Sequence, residues 1–160
     1  MNLYLLRHAE AEDASSTGKD ADRALSDRGR EVMKVVGAAF ARVAETDEIF
    51  HSPYRRARET AELVGVALPK AKLIEVPWLA PESDPRIGFD EIRARRGDLL
   101  WVGHQPHLGR ALGYAVTGSD EAELPMKKAS IARVSFSGSH PSPPGSLKWL
   151  ISPGLAQKIR

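Results

Sequence analysis

The sequence predicts an α/β protein, a three-layer α/β/α sandwich around a mostly parallel central sheet with an antiparallel edge strand. Three observations point there. Short apolar runs alternate with amphipathic stretches along the 160 residues, the pattern of strands and helices laid down in turn. The runs Leu3-Tyr4-Leu5-Leu6 and Leu99-Leu100-Trp101-Val102 lack polar alternation, as strands covered on both faces by helices do. Near the end, two strand patterns follow one another with only Ser137-Gly138-Ser139-His140-Pro141-Ser142-Pro143-Pro144-Gly145 between them, which predicts a hairpin at the sheet edge.

Taken in order, the first strand covers 2–7 and breaks abruptly into Arg7-His8-Ala9-Glu10. A helix over 27–44 follows, capped by Ser26, with Val32, Val35, Val36, Ala39, Phe40 and Val43 at helical spacing as its core stripe. The second strand, 47–51, carries the apolar Ile49-Phe50 and leads to Ser52-Pro53. Ser52 can cap a helix over 54–66, and Pro53 suits its first turn. A third strand over 72–76 and a helix over 86–95 come next. The fourth strand, 98–103, ends in Gly103-His104-Gln105-Pro106 before a helix over 107–117. Strands over 130–136 and 147–151 make the hairpin. No repeat or linker interrupts the chain, which reads as one domain, 1–160, long enough to bury a full core.

Composition excludes several chemistries. The chain has no Cys, which rules out disulfides, thiolate catalysis and cysteine-held zinc or iron–sulfur centres, and which suits a reducing cytoplasm. Met1-Asn2-Leu3 passes straight into a strand, without a basic leader, a small-residue cleavage site or an apolar run of bilayer length. A soluble, unprocessed, cytoplasmic protein with no membrane partner is expected. A net charge of +2, from 23 basic and 21 acidic residues, is too balanced to suggest nucleic acid as a partner, even with a pI near 9.0.

The chemistry-bearing residues gather at strand ends, where open α/β sheets bind ligands. Arg7 and His8 follow the first strand, His104 follows the fourth, and Arg56 opens the helix after the second. Arginine offers a planar fork of donors for phosphate oxygens, and imidazole serves as nucleophile, base or metal ligand. The free amides of a helix's first turn also favour an anion beside Arg56. Arg55 and Arg58 read instead as a solvated basic face, and His51 and His140 as structural or surface groups. Each feature alone is ordinary, but two histidine-bearing strand ends together with a strand-to-helix arginine form a convergent constellation that coincidence explains poorly.

The motifs that carry these residues resemble the histidine phosphatase superfamily, and within it the small bacterial SixA-type phosphohistidine phosphatases. Arg7-His8 resembles the superfamily's Arg-His-Gly. Ser52-Pro53-x-x-Arg56-Ala57-x-x-Thr60-Ala61 resembles its second arginine motif, and Gly103-His104-x-Pro106 its second histidine motif. The SixA-like features are the short length, Arg23-Ala24-Leu25-Ser26-x-x-Gly29, Ser130-Ile131-Ala132 and Trp149-Leu150-Ile151-Ser152-Pro153. The resemblance spans the whole chain. It implies a phosphoglycerate mutase-like fold and a metal-independent phosphohistidine phosphatase without cofactor, acting on a phosphohistidine-bearing phosphotransfer protein. His8 would carry the phosphoryl group, with Arg7, Arg56 and a His104 protonated beside the dianion surrounding its oxygens. Arg23 and Gln105 join these three as phosphate-binding residues. For Arg23 the alternative is an ion pair to Asp20, Asp22 or Asp27.

Two departures matter. Ala9 replaces the usual glycine, and its Cβ disfavours positive φ, so the turn is expected to keep an ordinary backbone conformation. Relatives acting on phosphate esters carry a glutamate acid after the third strand. In that segment this chain has Pro77-Trp78-Leu79-Ala80-Pro81-Glu82-Ser83-Asp84-Pro85, with Glu82 the candidate general acid. An imidazole leaves more easily than an alkoxide, so a P–N substrate asks for less acid catalysis. A general phosphomonoesterase and a non-catalytic phosphate-binding adaptor are the alternatives. A metallohydrolase built on His104 and His107 is disfavoured by Pro106 and by the absence of an acidic ligand cluster. A nucleotide-binding glycine loop and a nucleophile-elbow serine are both missing. Tyr54 and Trp78 are expected at the pocket rim, exposed to a partner protein.

Overall fold

The computed structural model describes residues 1–158, so the last two residues of the expected 1–160 domain lie outside the described residues. Six strands form one sheet: β1 (Asn2–Arg7), β2 (Glu48–His51), β3 (Lys72–Glu75), β4 (Leu99–Gly103), β5 (Ile131–Ser135) and β6 (Ser146–Ile151), in the order β3-β2-β4-β1-β5-β6. The first four are mutually parallel, β5 runs antiparallel to β1, and β6 returns antiparallel to β5 as the edge. Five helices accompany them among the described residues: α1 (Asp27–Val43), α2 (Arg55–Ala67), α3 (Pro85–Glu91), α4 (His107–Thr117) and α5 (Pro153–Ala156).

Because side chains alternate along a strand, each uninterrupted apolar run feeds two cores. Tyr4, Leu6, Leu100 and Val102 meet Met33, Val36 and Phe40 of α1 and Ala57, Ala61 and Val64 of α2 on one face. Leu3, Leu5, Leu99 and Trp101 meet Phe89 of α3 and Leu108, Ala111, Leu112 and Ala115 of α4 on the other. These two layers of helices make the expected sandwich. Fully burying each such leucine is worth about 1.5–3 kcal/mol, so the central strands are the most firmly held part of the molecule.

Several expectations need correction. The core stripe of α1 runs through Met33, Val36, Ala39 and Phe40, whereas Val35 and Val43 are exposed, because the helix turns them away from the sheet. Helix α3 stops at Glu91 rather than running to 95. Beyond the buried Ile92 the sequence offers only Arg93-Ala94-Arg95-Arg96, with no apolar side chain to hold another turn on the sheet, and Arg95 instead pairs with Glu48 at 2.9 Å. Two short 3-10 turns, Asp20–Asp22 and Pro77–Leu79, and the terminal α5 were not legible as helix. Trp78, expected on the rim, lies in the second core against Trp101 and Phe50. Gly88 allows this: a Cβ there would meet the Trp101 and Trp78 rings at 2.7 and 2.8 Å.

Candidate active site

The sheet order sets the site. Strand β4 lies between β1 and β2, so the three segments that leave these strands emerge side by side at their carboxyl ends. The ladder continues past the strands: His8 N–H donates to the Gly103 carbonyl at 2.9 Å, and Ser52 N–H to the Val102 carbonyl at 3.0 Å. His8 and His104 thereby come together with ring centroids 5.0 Å apart, both almost wholly buried. Arg7 and the buried Arg56 complete the expected quartet, and both guanidiniums depress the titration of the His8 and His104 rings.

His8 is held as a nucleophile would be. Its Nδ1 lies 2.7 Å from the Ala9 carbonyl, which only accepts, so Nδ1 carries the proton and Nε2 keeps its lone pair. Burial, reinforced by Arg56, Arg7 and Lys128, pushes its pKa down to about 3. Ala9 adopts no left-handed conformation, as expected, and its N–H donates to Thr60 Oγ1 at 3.2 Å while that hydroxyl donates to the Arg56 carbonyl at 2.7 Å. One threonine therefore ties the turn at His8 to the helix that carries Arg56. The strained position is instead Ala129, at φ 57°, whose N–H points at the Arg7 and His8 carbonyls.

The helix after Ser52 begins one residue later than expected, with Tyr54 at its cap and Pro53 outside it. Ser52 does another job. Its Oγ accepts the Tyr54 N–H and shares a 2.8 Å hydrogen bond with His104 Nε2, which fixes that ring. His104 Nδ1 is buried without a partner. Burial first, then His8 and Arg56, push the His104 pKa down to about 2, so in the free pocket it is neutral rather than protonated. Tyr54 packs its ring 5.1 Å from that of His104 and 5.0 Å from the Arg56 guanidinium carbon.

The remaining expected residues divide. Arg23 donates Nε–H to the Glu12 carbonyl at 2.7 Å and Nη1–H to Asp20 Oδ1 at 3.0 Å, the ion-pair alternative with Asp20 as partner. Gln105 is turned to the neighbouring loop: it donates to Glu123 Oε1 at 2.8 Å and accepts the Met126 N–H, while the Met126 carbonyl accepts from Arg7 Nη1 at 2.7 Å. It steadies Arg7's support. Glu82 is exposed, facing the Tyr54 phenol, whose pKa is raised by burial and by the Glu82 and Asp20 carboxylates. Asp84 is occupied by Arg86 and caps α3. His51 is buried against the Ser52 carbonyl, a structural group.

Three features of the site and its surroundings were not read from sequence. Asp20 takes two hydrogen bonds from Arg56, at 2.8 Å on its carbonyl and 2.9 Å on Oδ2. Glu59, buried in α2, accepts from the Leu25 N–H, Arg30 and Arg55, each at 2.8 Å, and so pins the segment after Arg23. His107 is buried with both ring nitrogens unpartnered, and burial pushes its pKa down to about 4. Among the described residues no group of three or more His, Cys, Asp or Glu side chains is arranged to hold a metal ion, and no helix is long and apolar enough to cross a membrane.

Comparison with known proteins agrees with this geometry. The model of the histidine phosphatase superfamily, branch 1, matches residues 3–80, a span holding Arg7, His8 and Arg56. An uncharacterized protein of Picosynechococcus sp. is 31% identical over 138 residues, 82% of each chain. The protein histidine phosphatase SixA complexed with tungstate superposes with a TM-score of 0.82 at 23% identity, covering 96% of this chain and 98% of its own. The putative phosphohistidine phosphatase SixA from Agrobacterium tumefaciens gives 0.77 at 22%, covering 94% and 97%. At such identities these two structures establish a shared fold, the mutase-like sandwich.

Proposed function

The chain belongs to the histidine phosphatase superfamily, branch 1, and from that premise we propose that it is a metal-independent phosphohistidine phosphatase acting on a phosphotransfer protein. The observation that carries this reading is His8: a neutral imidazole with Nδ1–H tied to the Ala9 carbonyl and Nε2 free beside Arg7, Arg56 and His104. In the first step the Nε2 lone pair attacks phosphorus, the substrate's P–N bond breaks, and its electron pair stays on the bonding nitrogen of the substrate ring, which departs as neutral imidazole with the proton on its other nitrogen. Water then attacks the phosphoryl-His8 phosphorus, returning the electron pair to Nε2 and releasing inorganic phosphate. The guanidiniums neutralise oxygens whose charge spreads in a loose transition state, and His104 gains its proton as the dianion offsets the neighbouring cations.

The choice of a nitrogen leaving group rests on the rim. Glu82, the carboxylate expected as an acid, is exposed and faces the Tyr54 phenol rather than being enclosed with the histidines. An alkyl ester would need that proton, whereas a phosphohistidine ring already protonated on its distal nitrogen departs as neutral imidazole without it. The test compares phosphate release from a histidine-phosphorylated phosphotransfer domain, a phosphoserine peptide and an alkyl phosphate, using wild type and His8→Ala in EDTA. Selective release from phosphohistidine, lost in His8→Ala and indifferent to EDTA, is expected. Preference for the alkyl ester would transfer the protein to the general phosphomonoesterases, and no turnover at all would make it a phosphate-binding adaptor.

A further inference from the structure

Asp20 occupies an unusual place for a loop carboxylate. Its side chain is 57% exposed, yet it joins the buried Arg56 to the half-exposed Arg23. Arg56 Nη1 donates to the Asp20 carbonyl and Nη2 to Oδ2, so one residue takes both outer donors of the guanidinium through backbone and side chain together. A guanidinium has five N–H groups in a rigid plane. With its end fork on Asp20, the side fork, Nε–H and the inner Nη2–H, is left over. The ring of Tyr54 lies against the guanidinium as well. Arg56 is thus gripped at one end and on one face, with a bidentate edge still open.

Charge supports the same reading. Arg7, Arg56 and Lys128 all act on His8, and Arg23 adds a further cation nearby through Asp20. Such a group of like charges repels itself before any phosphate arrives. Asp20 Oδ1 bonds Arg23 and Oδ2 bonds Arg56, which places one negative charge between two positive ones without using up either guanidinium.

We infer that Asp20 is a positioning residue: it clasps Arg56 and couples Arg23 to it, so that a bidentate arginine edge is aimed at the phosphoryl group beforehand. This rests on the reading of the pocket as a phosphoryl site but not on which phosphorylated molecule it accepts. Arg23 then acts through Asp20, which unites the two expectations for that arginine.

The experiment measures inorganic phosphate binding by calorimetry and turnover of an aryl phosphate in wild type, Asp20→Asn, Asp20→Ala, Arg23→Ala and the Asp20→Ala/Arg23→Ala double variant. Melting temperatures serve as a folding control. Asp20→Ala should weaken phosphate binding about tenfold and lower kcat at an unchanged Tm, because the arginine is no longer pre-aimed. Asp20→Asn should fall between, and the double variant should be no worse than Asp20→Ala. Tighter phosphate binding in Asp20→Ala would overturn the inference, since Asp20 would then be a built-in anion competing for the arginine; unchanged binding would overturn it too. A wild type that binds phosphate with the predicted Asp20 dependence but ignores phosphohistidine would leave Asp20's role standing and remove the substrate assignment. A wild type that binds no phosphate would remove both.

Discussion

His8 and His104 stand at the ends of neighbouring central strands, buried and backed by two hydrophobic cores, whereas the partly buried Arg23 and the exposed Asp20 and Glu82 stand on the connections outside the sheet. The floor of the pocket inherits its geometry from the β1–β4 ladder, which extends one hydrogen bond past the strands to His8. The rim is positioned by ion pairs and single hydrogen bonds on side chains that reach solvent. Buried groups in a low dielectric have large, fixed effects, and exposed pairs have small, screened ones. The difference gives the proposed reaction its division of labour: on that reading bond making belongs to the floor, and anion alignment and selectivity to the rim.

The comparison is broken most directly by removing the proposed nucleophile, His8. His8→Ala should lower turnover of any substrate by about 10³-fold or more while leaving inorganic phosphate binding largely intact, since the arginines remain. Rapid quenching of wild type with a labelled substrate should trap phosphate on His8, and none in the variant. Appreciable residual turnover in His8→Ala would mean that the floor binds without reacting.

This division also explains what the sequence disclosed. Leu3-Tyr4-Leu5-Leu6 and Leu99-Leu100-Trp101-Val102 are doubly buried runs, and a residue ending such a run is bound to sit at the sheet's carboxyl edge, so Arg7, His8 and His104 were legible. Arg56 was legible for the same reason, as the start of a strand-to-helix turn. Trp78 was misplaced because a loop tryptophan can fold inward wherever a small residue such as Gly88 makes room, and that room is a tertiary property. The Asp20–Arg56 and Glu59–Leu25 contacts were illegible because these partners lie far apart along the chain, and the turn of Gln105 because its neighbour in sequence, His104, says nothing of where an amide will point. Ser52 illustrates the limit well: the residue type suited a cap, and only the sheet order brings His104 within its reach.

A second prediction concerns pH. His8, His104 and His107 have pKa values pushed from 6.5 down to about 3, 2 and 4 by burial, so the unfolded chain binds more protons than the folded one at acid pH. Their contribution to stability is complete above pH 6.5 and is lost as pH falls through this window, each group adding up to about 1.4 kcal/mol per pH unit of loss. Glu59, whose pKa is lowered by the Leu25 amide and by Arg55 and Arg30 in spite of burial, works in the same direction at lower pH. Thermal melts between pH 7.5 and 4 should show Tm falling steeply below about pH 6.5. His107→Leu, which replaces an unpartnered imidazole by an apolar side chain, should make that fall shallower. A flat Tm across this range would show that the floor is open to water, contrary to the contrast drawn between it and the rim.

The smallest effect is expected at Glu82, and it sharpens the comparison most. If the rim aligns and does not react, Glu82→Gln should change phosphohistidine turnover by less than about threefold, the scale of an exposed charge. A positioned general acid contributes about 10²–10⁴-fold, so the two roles are widely separated. The leaving group provides an internal control. Imidazole and a nitrophenolate depart without help, and an alkoxide does not, so any acid function of Glu82 must appear as a selective loss on alkyl phosphates. Measuring kcat/KM for the wild type and Glu82→Gln on all three substrates separates the cases. A uniform small change keeps Glu82 as a rim charge beside Tyr54. A hundredfold loss confined to the alkyl ester would give the rim a proton to deliver, and the enzyme would then be an esterase whose acid swings in from solvent, with floor and rim sharing the chemistry.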